Sequence, residues 1–246
     1  MKKLINVVMI LCLFFAAPLI GEQVEELYWV GYASKKVEPA MKNENRVGTT
    51  FQVSYKDEQF TMTNLHICRI KFDEEIKRRI KILKEQIKNN KKLTLFPPLK
   101  DADLIGQHIK VGEYRRKILA VDDNHDLCLL EANPNLPSFS LASGYRKGEL
   151  VRVIGFPRGL DKTLRKGRIF GEGSGWMPWL PNPIVNYKHI STLAYPGNSG
   201  SPVIDKYGYL VGVLFAGRSG IHTEALIVPL EDVRNFLHKV IWLNKK

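Results

Sequence analysis

Cysteine is scarce in this sequence, internal repeats and low-complexity linkers are absent, and no apolar run of membrane-spanning length follows the first twenty residues. Three cysteines in 246 residues exclude a disulfide-dense mini-protein. Hydrophobic residues make up 44% of the chain and charged residues 25%, which excludes a wholly disordered chain or a collagen. The sequence therefore predicts a globular protein with a sizeable core, as one large domain or two small ones.

Acidic residues are outnumbered by basic ones. Lys and Arg total 37 while Asp and Glu total 25, so the formal net charge is +12. This excess favours anionic surroundings without identifying them, because lipid, cell-wall polymer, nucleic acid and acidic protein all attract a basic surface.

Residues 1–21 have the pattern of a secretory signal peptide. Two lysines precede an apolar run over residues 4–17, and the first acidic residue is Glu22. With cleavage near Gly21, we expect an exported protein, either periplasmic or secreted. An uncleaved membrane anchor is the alternative, although the run is short for a bilayer span of about 20 residues.

Short strand patterns rich in β-branched residues recur along the remaining chain, between Gly, Pro and polar turns. Residues 47–63 predict a hairpin. Further strand patterns occupy residues 118–130, 150–156, 167–171, 189–193, 202–205 and 210–216. Their short length and regular spacing predict an all-β sandwich or barrel.

Two segments have helical periodicity instead. Residues 230–243 predict an amphipathic C-terminal helix. Residues 72–92 predict a helix with one apolar stripe and a strongly basic exterior. We expect this exterior to be a solvated face over a packed stripe, and the alternative is a contact with an anionic surface.

The strongest chemical signal is the segment 196–203, Pro-Gly-Asn-Ser-Gly-Ser-Pro-Val. A serine flanked by glycines on a tight turn suits a nucleophile, because small neighbours let a substrate backbone approach Ser199. They also let the amides of Gly197 and Ser199 point at one spot, where an oxyanion would form. An ordinary glycine-rich turn is the alternative for this segment taken alone.

A serine nucleophile needs a base, and the base needs an acid that orients it. His66 ends a strand pattern, where a lone histidine is usually structural. Asp126 opens the apolar run Leu-Cys-Leu-Leu, and a buried acid there requires a partner. His66 and Asp126 are therefore the candidate base and acid. Asp122 and Asp123 are rival acids, but neither opens an apolar strand.

The order His66, Asp126, Ser199 in these contexts resembles the chymotrypsin-fold serine proteases, most closely the bacterial HtrA-like and glutamyl-endopeptidase-like branches. Residues 63–66 are similar to the Thr-Asn-x-His of those enzymes, and residues 126–129 to their Asp-Leu-Ala-Leu. Segment 196–203 includes a match to their nucleophile loop. The resemblance covers nearly the whole chain after the signal peptide.

This resemblance implies two six-stranded antiparallel β-barrels with a catalytic site in the cleft between them. Residues 22–140 would form the first barrel, which carries the histidine, the aspartate and the helical insertion 72–92. Residues 141–246 would form the second barrel, which carries the serine and the C-terminal helix 230–243.

The resemblance also implies the role of each site residue. Ser199 would be the nucleophile, His66 the general base and then acid, and Asp126 the residue that holds the imidazole tautomer. The amides of Gly197 and Ser199 would form the oxyanion hole. We expect no cofactor and no metal.

Three departures from those branches limit what carries over. The spacing of sixty residues between His66 and Asp126 is longer than in the HtrA-like branch, and the basic helix occupies the excess. No stretch of PDZ size follows the protease region, so tethering of that kind is not expected. The strand 213–217 lacks the histidine that helps glutamyl endopeptidases bind a glutamate side chain.

The resemblance places the pocket for the residue before the scissile bond between two segments. Its expected lining is Thr192, Leu193, Ala194, Val213, Leu214, Phe215, Ala216 and Gly217. Leu193 stands where trypsin-like enzymes place an acid that attracts Lys or Arg. An apolar lining predicts small or medium hydrophobic substrate side chains, because an unpaired buried charge is costly.

Cys68 and Cys128 are expected to pack as small buried residues, with a disulfide between them as the alternative. A zinc site made with His66 and His125 is disfavoured, because Asp126 and Cys128 face one side of a strand and His125 faces the other.

The expected function is that of an exported serine endopeptidase whose partners are protein or peptide substrates. A catalytically silent domain that binds through its basic surface is the alternative, but such a domain usually lacks a triad member. Nucleic acid is not expected as a partner, and the sequence does not indicate an oligomeric state.

Overall fold

The computed structural model describes residues 30–35, 46–69, 72–89, 108–112, 114–134, 136–176, 184–218 and 221–244. The predicted signal peptide, residues 1–21, lies outside these ranges. Within them, no helix is both long and apolar enough to cross a bilayer.

Seven strands form the N-terminal sheet: β1 Val30–Lys35, β2 Arg46–Tyr55, β3 Glu58–Asn64, β4 His108–Val111, β5 Tyr114–Asp122, β6 Leu127–Leu130 and β7 Phe139–Ser140. Their order in the sheet is β1-β4-β5-β6-β3-β2-β7, and a further pairing of β1 with β2 joins the first six in a ring. The predicted hairpin 47–63 is confirmed as β2 and β3. Its turn residues Lys56 and Asp57 both have positive φ (49° and 66°), as in the tight turns that match strand twist.

Six strands form the C-terminal barrel: β8 Leu150–Gly155, β9 Thr163–Trp176, β10 Ile184–Ile190, β11 Pro202–Ile204, β12 Leu210–Arg218 and β13 Ile221–Pro229. They close in the order β10-β13-β12-β11-β8-β9. The strand predicted at residues 189–193 is wrong in its second half. The register of β10 against β9 shifts after His189, the strand ends at Ile190, and the chain turns towards the nucleophile loop.

Three α-helices complete the described fold: α1 Leu65–Cys68, α2 Phe72–Lys88 and α3 Leu230–Asn244. The predicted C-terminal helix is confirmed, and α3 buries an apolar face made by Val233, Phe236, Leu237, Val240 and Ile241. The helical insertion is confirmed over 72–88, while residues 90–92 lie outside the described ranges. In α2, Lys81, Lys84 and Lys88 are exposed, and Ile87 of the predicted stripe is 63% exposed.

One hydrophobic cluster connects the two barrels. It contains Phe51 and Leu129 from the N-terminal sheet, Val213 and Phe215 from β12, and the apolar face of α3. A second cluster, with Val151 and Ile227, fills the C-terminal barrel. The barrels therefore share a continuous packed boundary, and the candidate catalytic residues lie along it. The predicted fold class, all-β with two chymotrypsin-like barrels, is confirmed.

Candidate active site

The pairing of β3 with β6 brings His66 and Asp126 together. His66 lies in α1, the single turn that follows β3, and Asp126 lies in the turn between β5 and β6. Asn64 at the end of β3 pairs with Leu127 at the start of β6. His66 Nδ1 lies 2.7 Å from Asp126 Oδ2, and the His66 amide donates to Asp126 Oδ1 at 2.9 Å.

Asp126 is completely buried, and its left-handed backbone (φ 55°) is one that aspartate tolerates better than most residues. Its carbonyl accepts hydrogen bonds from the Leu65 amide at 3.0 Å and from the Asn64 side chain at 2.9 Å. Both carboxylate oxygens accept from His66, which supplies the partners that a buried charge requires. A carboxylate that only accepts hydrogen bonds favours the tautomer with the proton on Nδ1, and Nε2 would then be the nitrogen available as a base.

A disulfide joins Cys68 to Cys128, each two residues beyond a member of the histidine–aspartate pair. The expectation of two packed thiols is therefore wrong, and the disulfide alternative is correct. The pairing of β3 with β6 and the turn of α1 place the two Cα atoms 6.6 Å apart, within the range that a disulfide spans. The bond ties the segment that carries the histidine to the segment that carries the aspartate, and it leaves neither sulfur as a thiol for the zinc alternative.

Ser199 lies in the loop between β10 and β11, at the boundary of the two barrels. Its carbonyl accepts a hydrogen bond from the Thr49 amide of β2 at 2.7 Å, and its hydroxyl donates to the Phe215 carbonyl at 3.4 Å. A Cβ at Gly48 would lie 2.8 Å from the Ile67 side chain and 3.2 Å from the Ser199 carbonyl. The segment after His66 and the nucleophile loop therefore converge on Gly48.

The two glycines that flank the candidate nucleophile are required by the backbone. Gly197 has φ +97° and Gly200 has φ +86°, in the region that favours glycine. A Cβ at Gly197 would lie 2.3 Å from the Phe156 carbonyl, and a Cβ at Gly200 would lie 2.2 Å from the Thr49 carbonyl. Any side chain at either position would force the loop away from the neighbouring segments.

The four successive carbonyls of residues 196–199 in the nucleophile loop are held by hydrogen bonds. Pro196 accepts from the Arg158 amide at 2.5 Å, and Asn198 accepts from the Ser201 amide at 3.0 Å. Because the carbonyl and N–H of a trans peptide point in opposite directions, these bonds orient the amides of Gly197 and Ser199. Within the described residues, neither amide donates to a backbone carbonyl, so both are available as oxyanion-hole donors.

The predicted pocket residues fall into two groups. Val213, Leu214 and Phe215 are buried in the hydrophobic clusters, and Thr192 is buried as well. Ala194 is also buried, in the second cluster, whereas Leu193 and Ala216 are partly buried and Gly217 is exposed. A Cβ at Gly217 would lie 3.2 Å from Ala194 Cβ, so the two predicted segments are neighbours there.

His125 pairs with acids other than Asp126. Its Nδ1 lies 2.8 Å from Asp122 Oδ2, and its Nε2 lies 3.5 Å from Asp232 Oδ1 in α3. The hydrogen bond with Asp122 raises the pKa of His125, against the effect of burial. Burial opposes ionisation of Asp122, but the hydrogen bond and charge of His125 lower its pKa overall, and burial raises the pKa of Asp232. Asp122, the rival acid, is thus engaged with His125.

Sequence reasoning did not identify Thr49. Its hydroxyl donates to the Gly197 carbonyl at 2.8 Å and accepts from the Phe156 amide at 3.1 Å. In the sequence it is one threonine among several β-branched strand residues, and only the docking of the two barrels gives it these contacts.

The chain is similar to known proteins in sequence and in fold. The family model described as "Trypsin-like peptidase domain" matches residues 48–213. A relative from Pseudomonas putida named "Probable periplasmic serine endoprotease DegP-like" is 31% identical over 138 residues, which is 52% of this chain and 28% of that protein. The chain thus spans less than a third of the length of that curated relative.

Two solved structures share the fold. A protease from M. tuberculosis in its active form has a TM-score of 0.60 and 21% identity, covering 87% of this chain and 81% of that one. The serine endoprotease from Yersinia pestis has a TM-score of 0.58 and 16% identity, covering 89% of this chain and 66% of that one. Since the family model matches most of the chain, the predicted family is confirmed, and the chain belongs to the trypsin-like peptidase domain family.

Proposed function

We propose that this chain is an exported serine endopeptidase that hydrolyses peptide bonds through Ser199, His66 and Asp126. The observation that carries the proposal is the buried Asp126 carboxylate, which accepts two hydrogen bonds from His66 at the same barrel boundary as a glycine-flanked serine. Membership of the trypsin-like peptidase family supports the same activity.

The proposed reaction assigns a step to each of these groups. His66 Nε2 accepts the Ser199 hydroxyl proton while the oxygen attacks the substrate carbonyl, and Asp126 stabilises the imidazolium that forms. The amides of Gly197 and Ser199 donate to the tetrahedral oxyanion. His66 then returns the proton to the leaving amine, and a water molecule activated by the same base hydrolyses the acyl-enzyme.

Export is part of the proposal. The charged and then apolar pattern of residues 1–21 is that of a signal peptide, and the Pseudomonas relative is named as periplasmic. Protein or peptide substrates follow from the proposed chemistry. Contact of the basic helix α2 with an anionic surface remains a further proposal, supported by its exposed lysines.

A fluorophosphonate probe tests the activity directly, because it reacts with a serine only when that serine is activated. We expect labelling of the mature wild-type protein and none of Ser199→Ala, with matching circular dichroism spectra to show that both are folded. A folded wild-type protein that is not labelled would favour a catalytically silent binding module.

Substrate preference is tested by cleavage of a peptide library, with Ser199→Ala as the background control. We expect cleavage after small or medium hydrophobic residues, because Leu193 offers no charge to a basic side chain and the strand after the nucleophile loop has no histidine for an acidic one. Preferred cleavage after Arg, Lys or Glu would show that the pocket has been assigned wrongly.

A further inference from the structure

We propose that Thr49, which lies on the barrel opposite to the nucleophile loop, is a positioning residue whose hydroxyl sets the geometry of the oxyanion hole. This inference rests on the proposed function, since an oxyanion hole has meaning only in an active enzyme.

The Thr49 hydroxyl both donates and accepts a hydrogen bond at the nucleophile loop and the segment beside it. It donates to the Gly197 carbonyl at 2.8 Å and accepts from the Phe156 amide at 3.1 Å, and the residue is completely buried. Phe156 directly precedes the turn whose Arg158 amide holds the Pro196 carbonyl at 2.5 Å. One hydroxyl thus links the nucleophile loop to the segment that orients the Gly197 amide.

The backbone of Thr49 holds the same loop at a second point. Its amide donates to the Ser199 carbonyl at 2.7 Å, and its own carbonyl accepts from the Thr63 hydroxyl at 2.7 Å. The residue therefore binds the carbonyls of Gly197 and Ser199, on either side of Asn198. These two carbonyls belong to the peptide planes that directly follow the oxyanion-hole amides, so Thr49 restricts the backbone rotation of Gly197 and Ser199 next to each amide.

Loss of the hydroxyl would release a loop that is easily distorted. The Gly197 carbonyl and the Phe156 amide would lose a buried partner, and such groups turn to find another. Gly197 can rotate with little resistance because it has no side chain. A displacement of about 1 Å at a catalytic group can cost on the order of 100-fold in rate. We therefore expect a fall in kcat of roughly 10- to 100-fold with KM nearly unchanged, because the oxyanion forms only in the transition state.

The test compares Thr49→Val with Thr49→Ser and with Thr50→Val. Valine removes the hydroxyl at nearly constant volume, and serine restores it. Thr50 is the matched control, because it is the next residue of β2 and equally buried, and its hydroxyl has no hydrogen-bond partner among the described residues. We expect Thr49→Val to lose kcat, and Thr49→Ser and Thr50→Val to keep most of it.

A peptide aldehyde distinguishes positioning from general destabilisation. The aldehyde adds to Ser199 to give a hemiacetal whose oxygen occupies the oxyanion hole, whereas a product peptide binds without using the hole. Thr49→Val should bind the aldehyde more weakly by the same factor as its loss in kcat, and bind the product peptide as the wild type does. If Thr49→Val does not fold, Thr49→Ala, which also lacks the hydroxyl, takes its place in both measurements.

The outcomes separate this inference from the function on which it rests. A wild-type protein that neither reacts with the fluorophosphonate nor cleaves peptides overturns the proposed function and this inference with it. An active wild type with equal kcat and aldehyde affinity in Thr49→Val and Thr50→Val overturns the inference alone. A loss confined to Thr49→Val in both measurements, restored in Thr49→Ser, supports it.

Discussion

At the scale of single residues, the site depends on how a buried charge is satisfied. Asp126 is completely buried, and its two carboxylate oxygens and its carbonyl all accept hydrogen bonds from the short segment that carries His66. A buried carboxylate is costly unless it is paired. Asp126 therefore favours only the conformation in which the His66 imidazole is oriented towards its carboxylate. The same contacts that hold the turn therefore fix the imidazole tautomer.

Substitution of the three candidate catalytic residues should remove most of the activity. Ser199→Ala, His66→Ala and Asp126→Asn should each lower turnover by about 10⁴-fold, the last because an amide nitrogen cannot accept the hydrogen bond that His66 Nδ1 donates. The losses should not add in double variants, because the residues act as a unit. Steady-state kinetics on a cleaved peptide measure this, and near-normal turnover after any one substitution would remove that residue from the assignment.

At the scale of elements, the disulfide has a position that matters to the site. It connects α1 with β6, two residues beyond His66 and Asp126 respectively. The two cysteines are 60 residues apart in sequence, and the chain between them includes α2, β4 and β5. The bond therefore holds His66 and Asp126 close together across the long insertion that separates them in sequence.

The double variant Cys68→Ala/Cys128→Ala should be less stable than the wild type. For a loop of this length the chain-entropy model gives about 4 kcal/mol, from the freedom that the unfolded chain regains. Urea unfolding of the oxidised wild type and of the double variant gives the difference. Reductant should destabilise only the wild type, and an equal response of both proteins would show that the bond does not contribute.

The junction of the β5–β6 turn with α3 should make stability depend on pH. The pKa of His125 is raised in the folded protein. Its contribution to the free energy of unfolding is therefore present in full below its pKa of 6.5 in the unfolded chain, and it is lost as the pH rises through its pKa in the folded protein. Asp122 has a lowered pKa, so its contribution is present above 3.8 and is lost as the pH falls through the folded value. The His125–Asp122 pair therefore stabilises most between these limits, while Asp232, whose pKa is raised, acts in the opposite sense.

Urea unfolding of wild type and His125→Gln at pH 5.5 and pH 8.5 tests this junction. The destabilisation caused by the substitution should be larger at the lower pH. Asp232→Asn removes the carboxylate of α3 that also lies near His125. It therefore serves as the control that separates the effect of Asp232 on His125 from that of Asp122. An equal loss at both pH values would mean that the charge on His125 contributes nothing.

Elements differed in how far the sequence revealed them. The hairpin of β2 and β3 follows from alternation and turn residues, and the candidate triad from motifs whose flanks resemble those of a known family. Strand β13 was not predicted, because residues 224–228 are all buried and so do not alternate between apolar and polar types. Glu224 among them is a charged residue that can be buried only because it is paired with His189 of β10, and the sequence does not show that pairing. The disulfide and the contacts of Thr49 depend on which segments meet in space, and residue types and spacing do not specify that.

At the scale of the whole molecule, the proposed active site is divided between two barrels, each of which supplies an incomplete part. The N-terminal barrel carries His66 and Asp126, and the C-terminal barrel carries Ser199 and the two amides proposed for the oxyanion hole. Thr49 and Gly48 of the N-terminal barrel contact the nucleophile loop of the C-terminal barrel. One hydrophobic cluster contains side chains from both barrels and from α3. On the proposed function, the catalytic geometry depends on how the barrels dock, and changes that loosen this boundary should lower activity before they unfold either barrel.

The last prediction concerns activation, which also involves the whole molecule. In trypsin-like zymogens a new N-terminal amine pairs with an aspartate just before the nucleophile. Here that residue is Asn198, which is buried, 2% exposed, and carries no charge to receive an ammonium. An ammonium buried without a carboxylate would be unfavourable by several kcal/mol. We therefore expect that removal of the signal peptide suffices and that no further cut is needed.

Strand β1 strengthens this expectation. A cut before Val47 would fall within β2, opposite Ser34 of β1, and would release the strand that pairs with both β2 and β4. Mature chains beginning at Glu22 and at Val47 are compared by active-site titration with a fluorophosphonate. The longer chain should titrate fully, and the shorter one should titrate weakly because the ring of the N-terminal barrel is open. Titration of the shorter chain alone would identify a true zymogen and show that Asn198 has been interpreted wrongly.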